Sequence, residues 1–521
     1  MNCWRKTALI LVLAAFVGCA PIQHNVVREP STALPAAHDT PSSRYVQSEV
    51  NKHVDASGFR LLTNSTNALM SRIALADHAA HSIDLQYFIF QNDATGRLVA
   101  QRLLAAADRG VRVRMLLDDY ALDDEYDLLD ALDAHPNIEV RVFNPFRTRA
   151  KFLPAKIVQF VLEWRRLNRR MHNKSFIVDG NVAVIGGRNI GDAYFDAADT
   201  SNFRDVDVIA IGPVVPEASR SFDAYWNSDA AIPVSATGKK RDPQRDLSST
   251  RDALAHEARA FAESDYAQAA IKEFPSGPTA DRSGAWFWGE AVLVADQPEK
   301  IEARSDEPIL RIGPKLKQVI DTAQHEVLFT SPYFVPGKSG VSYLTSLAGR
   351  GVSTKVLTNS LAATDEPAAH AAYSHYRRDL LNGGVQLYEL HPMPGTIQSP
   401  TAYGTSSGIS LHAKSIVVDR HYVFIGSMNM DQRSKLLNTE MGVIVDSPGL
   451  AKAVAEFFDR ATAPENAFRV ELKPEPHGRP DIVWVTLEQG RMQTFEHEPG
   501  ASAHRKVEAM FLKLLPIDGL L

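Results

Sequence analysis

The chain has 521 residues, of which 45% are hydrophobic and 23% charged, and a formal net charge of −6. That length exceeds what one ordinary core serves, so two packed lobes with extensions are expected. The composition excludes a disordered chain and a polytopic membrane protein. The acidic balance excludes a generally basic nucleic-acid binder while leaving room for a local basic patch.

Residues 1–19 read as an export signal: Arg5 and Lys6 form a charged start, 8–17 is an apolar run too short to span a bilayer, and Val17-Gly18-Cys19 closes it. Small residues directly before a cysteine resemble the lipobox of bacterial lipoproteins, in which cleavage leaves an acylated Cys19; an uncleaved anchor is the alternative. The location this implies is the bacterial cell envelope, with the chain tethered through Cys19 and facing the periplasm. Ala20, in the place where Asp goes with inner-membrane retention, favours the outer membrane. Cys3 and Cys19 are the only cysteines, which leaves the folded body without a disulfide or a thiolate metal site. Residues 20–55, rich in Pro, Ser, Thr and Ala, are expected to be a flexible tether.

Beyond residue 55 the sequence repeats itself in order. A strand pattern at 81–88 is echoed at 325–334, and helical stretches follow at 96–108 and 340–348. Arg109-Gly110-Val111 and Arg350-Gly351-Val352 then turn helix into buried strand. Aligning Pro213 with Pro448 places Asp205 opposite Glu440, and amphipathic helices close the halves at 217–226 and 450–461. Alternating strand and helix signals in two copies predict an α/β fold of two tandem lobes, each a sheet flanked by helices. The lobes are related by a pseudo-twofold axis and share one active site. The expected division is 56–235 and 301–465 for the lobes, 236–300 for an interlobe linker or insert with some helix, and 466–521 for a C-terminal extension that serves packing.

Each half carries one unusual spacing, His172-Asn173-Lys174 with Asp179 and His412-Ala413-Lys414 with Asp419. Each copy continues into Gly186-Gly187-Arg188-Asn189 or Gly426-Ser427-Met428-Asn429. A His and a Lys two apart on an extended segment share a face. They set a nucleophile or proton carrier beside a fixed positive charge, which suits attack at phosphorus. One such copy is weak; two with the same Gly-x-x-Asn tail are specific. One imidazole attacks phosphorus to form a phosphohistidine, and the other protonates the departing alkoxide. Lys174 and Lys414 hold the equatorial oxygens, and Asn189 and Asn429 add hydrogen bonds. Asp205 and Glu440 are placed to accept a proton from the far side of each ring and fix its tautomer. Asp179 and Asp419 complete the repeated unit at strand-to-turn junctions, where capping the turn is the expected role and direct chemistry the alternative.

Ahead of the first copy, Arg147, Arg149, Lys151, Lys156, Arg165, Arg166, Arg169 and Arg170 interleave with Phe152, Phe160 and Trp164. A basic, aromatic-bearing helix in an acidic protein suits an anionic membrane surface; a lobe helix with solvated basic ends has the same periodicity.

The doubled His-x-Lys-x4-Asp-x6-Gly-[Gly/Ser]-x-Asn pattern resembles the phospholipase D superfamily, over most of residues 60–460. Within it the chain is similar to bacterial cardiolipin synthases, on the segment 427–434 with Asn438-Thr439-Glu440. The segments 359–367 and 403–408 are similar to the C-type branch. The resemblance implies a covalent phosphatidyl-histidine, no cofactor or metal, His172 as nucleophile and His412 as general acid. It also implies phosphatidylglycerol and phosphatidylethanolamine as substrates, and an accessory protein as partner. Three functions compete: a phosphatidyltransferase making cardiolipin, a hydrolase of the same fold acting on phospholipid or nucleic acid, and a lipid-anchored binding protein with a relict site. Intact paired motifs oppose the last, and the net charge opposes a nuclease.

Overall fold

The protein is represented by a computed structural model that describes residues 28–122, 125–146, 163–237, 243–273, 286–302, 311–393, 408–474 and 480–515. From its inner edge, the N-terminal sheet runs Ser57–Leu62, Asp207–Ile211, Val182–Gly186, Ser175–Val178, Ser82–Tyr87, Arg112–Asp118, Ile138–Phe143 and Ala231–Pro233. The C-terminal sheet runs Phe287–Ala295, Met441–Asp446, Tyr422–Gly426, Ser415–Val418, Glu326–Thr330, Ser353–Asn359, Gln386–Leu390 and Ala467–Lys473. Position for position this is one topology used twice, as the internal repeat requires.

Local chemistry accounts for the elements. Ser82–Tyr87 and Arg112–Asp118 are parallel, so a helical crossover must connect them. Ala94–Asp108 supplies it, opened by the Asp93 side chain accepting the Gly96 amide and closed by Gly110 at φ 96°, where a side chain would be strained. Gly351 repeats the device at φ 89°. Strands such as Ser175–Val178 and Ser415–Val418 are buried on both faces and accordingly read as continuous apolar runs.

A central core belongs to both lobes. Ile185, Val206 and Val208 pack in one cluster with Leu411, Ile425 and Val443 and with the helices Val214–Trp226 and Pro448–Ala461. The two sheets also join edge to edge, residues 57–59 pairing antiparallel with 287–289.

Three expectations are corrected. The stretch 20–55 is not a free tether from residue 28 onward. Arg28 donates to the carbonyls of Ser228 and Asp229, the Ala33 amide binds Asp223, and Pro41–Val50 is a helix with a Thr40 capping box. Its Pro and Ser residues serve a helix start, a use that composition does not distinguish from a linker. The described residues of 236–300 do not form a free linker. Helices Pro243–Glu263 and Asp265–Glu273 lie on the N-terminal lobe, and Phe287–Ala295 is the strand that joins the sheets. In the C-terminal extension, Ala467–Lys473 is a sheet strand of the second lobe, followed by strand Asp481–Glu488 and helix Ala503–Leu512.

Candidate active site

The site is assembled by two reciprocal strand contacts between the lobes. Ser201–Arg204 pairs in parallel with Gly408–Leu411, with Arg204 opposite Leu411. Its counterpart is a bridge between Met171 and Thr439. One residue further along each contact, His412 meets Asp205 and His172 meets Glu440. His412 Nδ1 lies 2.6 Å from Asp205 Oδ2, and His172 Nδ1 lies 2.8 Å from Glu440 Oε2. Each orienting carboxylate therefore comes from the lobe opposite its histidine, a crossing that the alignment of Asp205 with Glu440 did not reveal. Backbone bonds fix the same register: the His172 amide donates to the Thr439 carbonyl at 2.9 Å and the His412 amide to the Arg204 carbonyl at 2.7 Å.

The lysines are brought to the same centre. Lys174 donates to the His172 carbonyl at 2.6 Å, and Lys414 binds the His412 carbonyl in the same way. Both lysines and both carboxylates are buried, which shapes every charge. Burial first, then Lys174 and Lys414, pushes the His172 ring well below its ordinary pKa; burial, then Lys414 and Lys174, does the same to His412. Burial lowers Lys174 far below the usual lysine range and Lys414 to about 8. It raises Asp205, and it lifts Glu440 to about 7. Both imidazoles feel both lysines, so the four groups form one centre with both rings neutral at rest.

Asn189 gives its amide N–H to the Tyr194 hydroxyl at 2.9 Å, and its carbonyl accepts the Ile89 amide at 3.2 Å. Asn429 is buried with Oδ1 unpaired. Asp179 and Asp419 anchor loops. The Asp179 carboxylate accepts the amides of Ala80, His81 and Ser82, and that of Asp419 accepts those of Gln324, His325 and Glu326. Each sits five residues past its lysine along a strand, roughly 16 Å at extended spacing, at the turn end away from the histidine. Both take positive φ, 52° in each case, a conformation Asp tolerates.

Several site residues escaped the sequence reading. Phe88 meets the His172 ring edge-on at 5.0 Å, while Tyr194 and Phe203 flank His412 at 5.1 Å each. Ser427 donates to Glu440 Oε2 at 2.5 Å, and Asn359 clasps the Leu411 backbone through both edges of its amide. The varied Gly/Ser position of the motif could have pointed to Ser427; the aromatics carry no motif. In the basic stretch, residues 147–162 lie outside the described residues, as do Cys19 and 403–407. Of the rest, Arg170 is buried against Asp118 at 2.6 Å and Arg166 pairs with Glu163 at 2.5 Å, so these two serve the lobe rather than a membrane. Trp164 and Arg165 remain exposed. Among the described residues the one cluster of metal-type ligands, His370, Glu389 and Glu498, surrounds the Arg377 guanidinium, which binds all three. No helix among them is long and apolar enough to cross a membrane.

Two such sheets sharing a His-Lys pair from each lobe define a phospholipase D-like protein. The fold matches that of a phosphatidylserine synthase from Haemophilus influenzae, with a TM-score of 0.56 at 12% identity over 92% of this chain and 99% of that one. The chain belongs to the cardiolipin synthase family of phospholipase D-like domains, whose model matches residues 72–226 and 316–462, one segment per lobe. Cardiolipin synthase C of Escherichia coli (strain K12) is 38% identical over 484 residues, 90% of this chain and 98% of that protein. A cardiolipin synthase of Staphylococcus aureus (strain Mu50) is 24% identical over 421 residues, 80% and 68% respectively.

Proposed function

We propose that the chain makes cardiolipin by moving a phosphatidyl group onto the headgroup glycerol of phosphatidylglycerol. The observation that carries this reading is the crossed pair of His–carboxylate contacts around two buried lysines. In the first step His172 Nε2 attacks phosphorus of the donor lipid, Glu440 holding Nδ1 so that Nε2 presents its lone pair. The bond from phosphorus to the headgroup oxygen breaks, and His412 gives that oxygen its proton, releasing ethanolamine from phosphatidylethanolamine or glycerol from phosphatidylglycerol. In the second step the now neutral His412 takes the proton of the acceptor hydroxyl. That oxygen attacks phosphorus, and the bond to His172 breaks. Lys174, Lys414 and the two asparagines hold the phosphoryl oxygens as charge develops, in a site dry enough for each bond to count. The phosphodiester's own charge offsets the lysines and restores the proton His412 needs.

Residues 1–19 fit an acylated Cys19 that places this site on the periplasmic side of the envelope. Trp164 and Arg165 are the described part of the basic stretch that suits an anionic lipid surface. The test is purified protein with phosphatidylglycerol, with and without phosphatidylethanolamine. Cardiolipin together with free ethanolamine supports transfer from the second lipid, and cardiolipin with glycerol supports transfer between two phosphatidylglycerols. Phosphatidic acid alone overturns transfer in favour of hydrolysis.

A further inference from the structure

The two lobes treat one groove differently. In the N-terminal lobe, between the helices Ser65–His78 and Ala94–Asp108, Leu98 and Val99 are buried and fill it. Helices Pro243–Glu263 and Asp265–Glu273 then lie over it. Tyr266 joins the core of Leu69, Ile73 and Phe195, and its hydroxyl donates to the Phe195 carbonyl at 2.5 Å. The C-terminal lobe has no counterpart of those two helices among the described residues. The Arg-Gly-Val turns put Ser339 and Gly340 where the first lobe has Leu98 and Val99. With those side chains gone, a cavity of about 570 Å³ stays open between the helices Gly313–Asp321 and Gly337–Gly349. Leu316, Ile320, Leu344, Ile416, Met428 and Met430 make its walls apolar. Asn429 lines it as well, 4% exposed and with Oδ1 unpaired.

An apolar void of this size forfeits dispersion contacts that the first lobe secures by filling it, and its volume is that of a small-molecule site. Two buried polar atoms on its wall lack a partner, Arg311 Nε and Asn429 Oδ1, and the second belongs to the motif asparagine, so the apolar space reaches a residue of the repeated motif. Arg311, Lys317 and Lys435 stand on the lining, a basic edge that suits lipid phosphates. An occupant with a long apolar body, a phosphate for the basic edge and a headgroup hydroxyl or ammonium to donate to Asn429 Oδ1 satisfies all of these.

We propose that the cavity seats one acyl chain of the phospholipid whose phosphodiester lies at His172 and His412. This rests on the phosphatidyl-transfer reading and adds to it a chain-length preference encoded in the second lobe. Chain burial contributes to binding with each methylene removed from water, so a side chain in the mouth raises KM for long-chain lipid and leaves a short-chain lipid less affected.

The test uses the full chain with Ser339→Trp, which adds bulk at an exposed position of the lining, and Ser339→Leu, which restores the first lobe's residue. Ser339→Trp is expected to lower the ratio of kcat/KM on dioleoyl- to dihexanoyl-phosphatidylglycerol about tenfold, roughly the loss of two buried methylenes, through KM. Ser339→Leu gives a smaller fall in the same direction. A second readout is binding of pyrene-acyl phosphatidylglycerol to the His172→Asn chain, which needs no turnover; adding Ser339→Trp weakens it by a similar factor. An unchanged ratio with unchanged pyrene-lipid binding overturns the proposal and leaves the cavity to a peptide partner. Hydrolysis in place of transfer sinks the transfer reading alone, because the ratio and the binding are read in either case.

Discussion

The two halves of the active centre are built to one plan and differ in how each carboxylate is held. Glu440, which orients His172, receives the Ser427 hydroxyl on the same oxygen that faces the ring. Asp205, which orients His412, has Gly187 at the matching place, where an added Cβ would stand 2.2 Å from its Oδ1. Asp205 binds instead its neighbouring Val206 amide at 2.7 Å. The shorter carboxylate thus needs the glycine and the longer one uses the serine. A duplicated fold supplies symmetry of position; the chemistry of two unlike steps requires that the two imidazoles be tuned apart.

The largest test of that difference separates the histidines. His172→Asn and His412→Asn should each lower phosphatidyl transfer by roughly a thousandfold or more, as the loss of a nucleophile or an essential acid does. They part on a phosphodiester with a p-nitrophenol leaving group, which needs no protonation. His412→Asn should still release a burst and leave a mass adduct on His172, whereas His172→Asn should give neither. An adduct on His412 in the His172→Asn chain would reverse the roles. The crossing predicts the next effect. Glu440→Gln should abolish the burst and Asp205→Asn should spare it, with transfer reduced on the order of a hundred- to ten-thousandfold in both. If Asp205→Asn, in the lobe of His172, removed the burst, the lobes would not be crossed.

Much of this was legible in the residues. The two His-Lys-Asp units, the Gly-x-x-Asn tails and the alignment of Asp205 with Glu440 point to both histidines, both lysines and both carboxylates that face the rings, while Ser427 and Asn359 went unread. The crossing was not legible, since it depends on Arg204 pairing with Leu411 and Thr439 with Met171, contacts spanning more than 200 residues that leave no periodicity. The strand Phe287–Ala295 was missed for a related reason: its neighbours in the sheet are Ser57–Leu62 and Met441–Asp446, and no local turn announces them. The distance of Asp179 from Lys174 was legible, because five residues of strand separate them whatever the fold.

Smaller effects sharpen the Gly187–Ser427 contrast. Gly187→Ala should displace Asp205 and lower transfer about a hundredfold, while a chain substituted at Ser427 keeps its carboxylate in place and loses one donor. Removing a donor to a carboxylate favours its protonated form. Glu440, held at about 7 chiefly by burial and pulled down by Ser427, should therefore move higher in Ser427→Ala. The acidic limb of kcat/KM should shift up by roughly one pH unit, the worth of one such hydrogen bond. An acidic limb that stays in place would show that Glu440 is not the group that sets it.

The alkaline limb belongs to the lysines. Lys414, buried and held at about 8, loses its charge as pH rises through that value, so kcat/KM, which reports the free enzyme, should fall above about pH 8. Bound substrate changes the sign of its surroundings: a phosphodiester brings a negative charge into the centre, favours the ammonium and raises the lysine's pKa. The alkaline limb of kcat should accordingly lie above that of kcat/KM. Steady-state rates from pH 6 to 10 on one short-chain lipid would measure both. Coincident limbs would mean that the phosphate does not sit against Lys414, and the shared centre of two lobes would have to be drawn with only Lys174 holding the phosphoryl group.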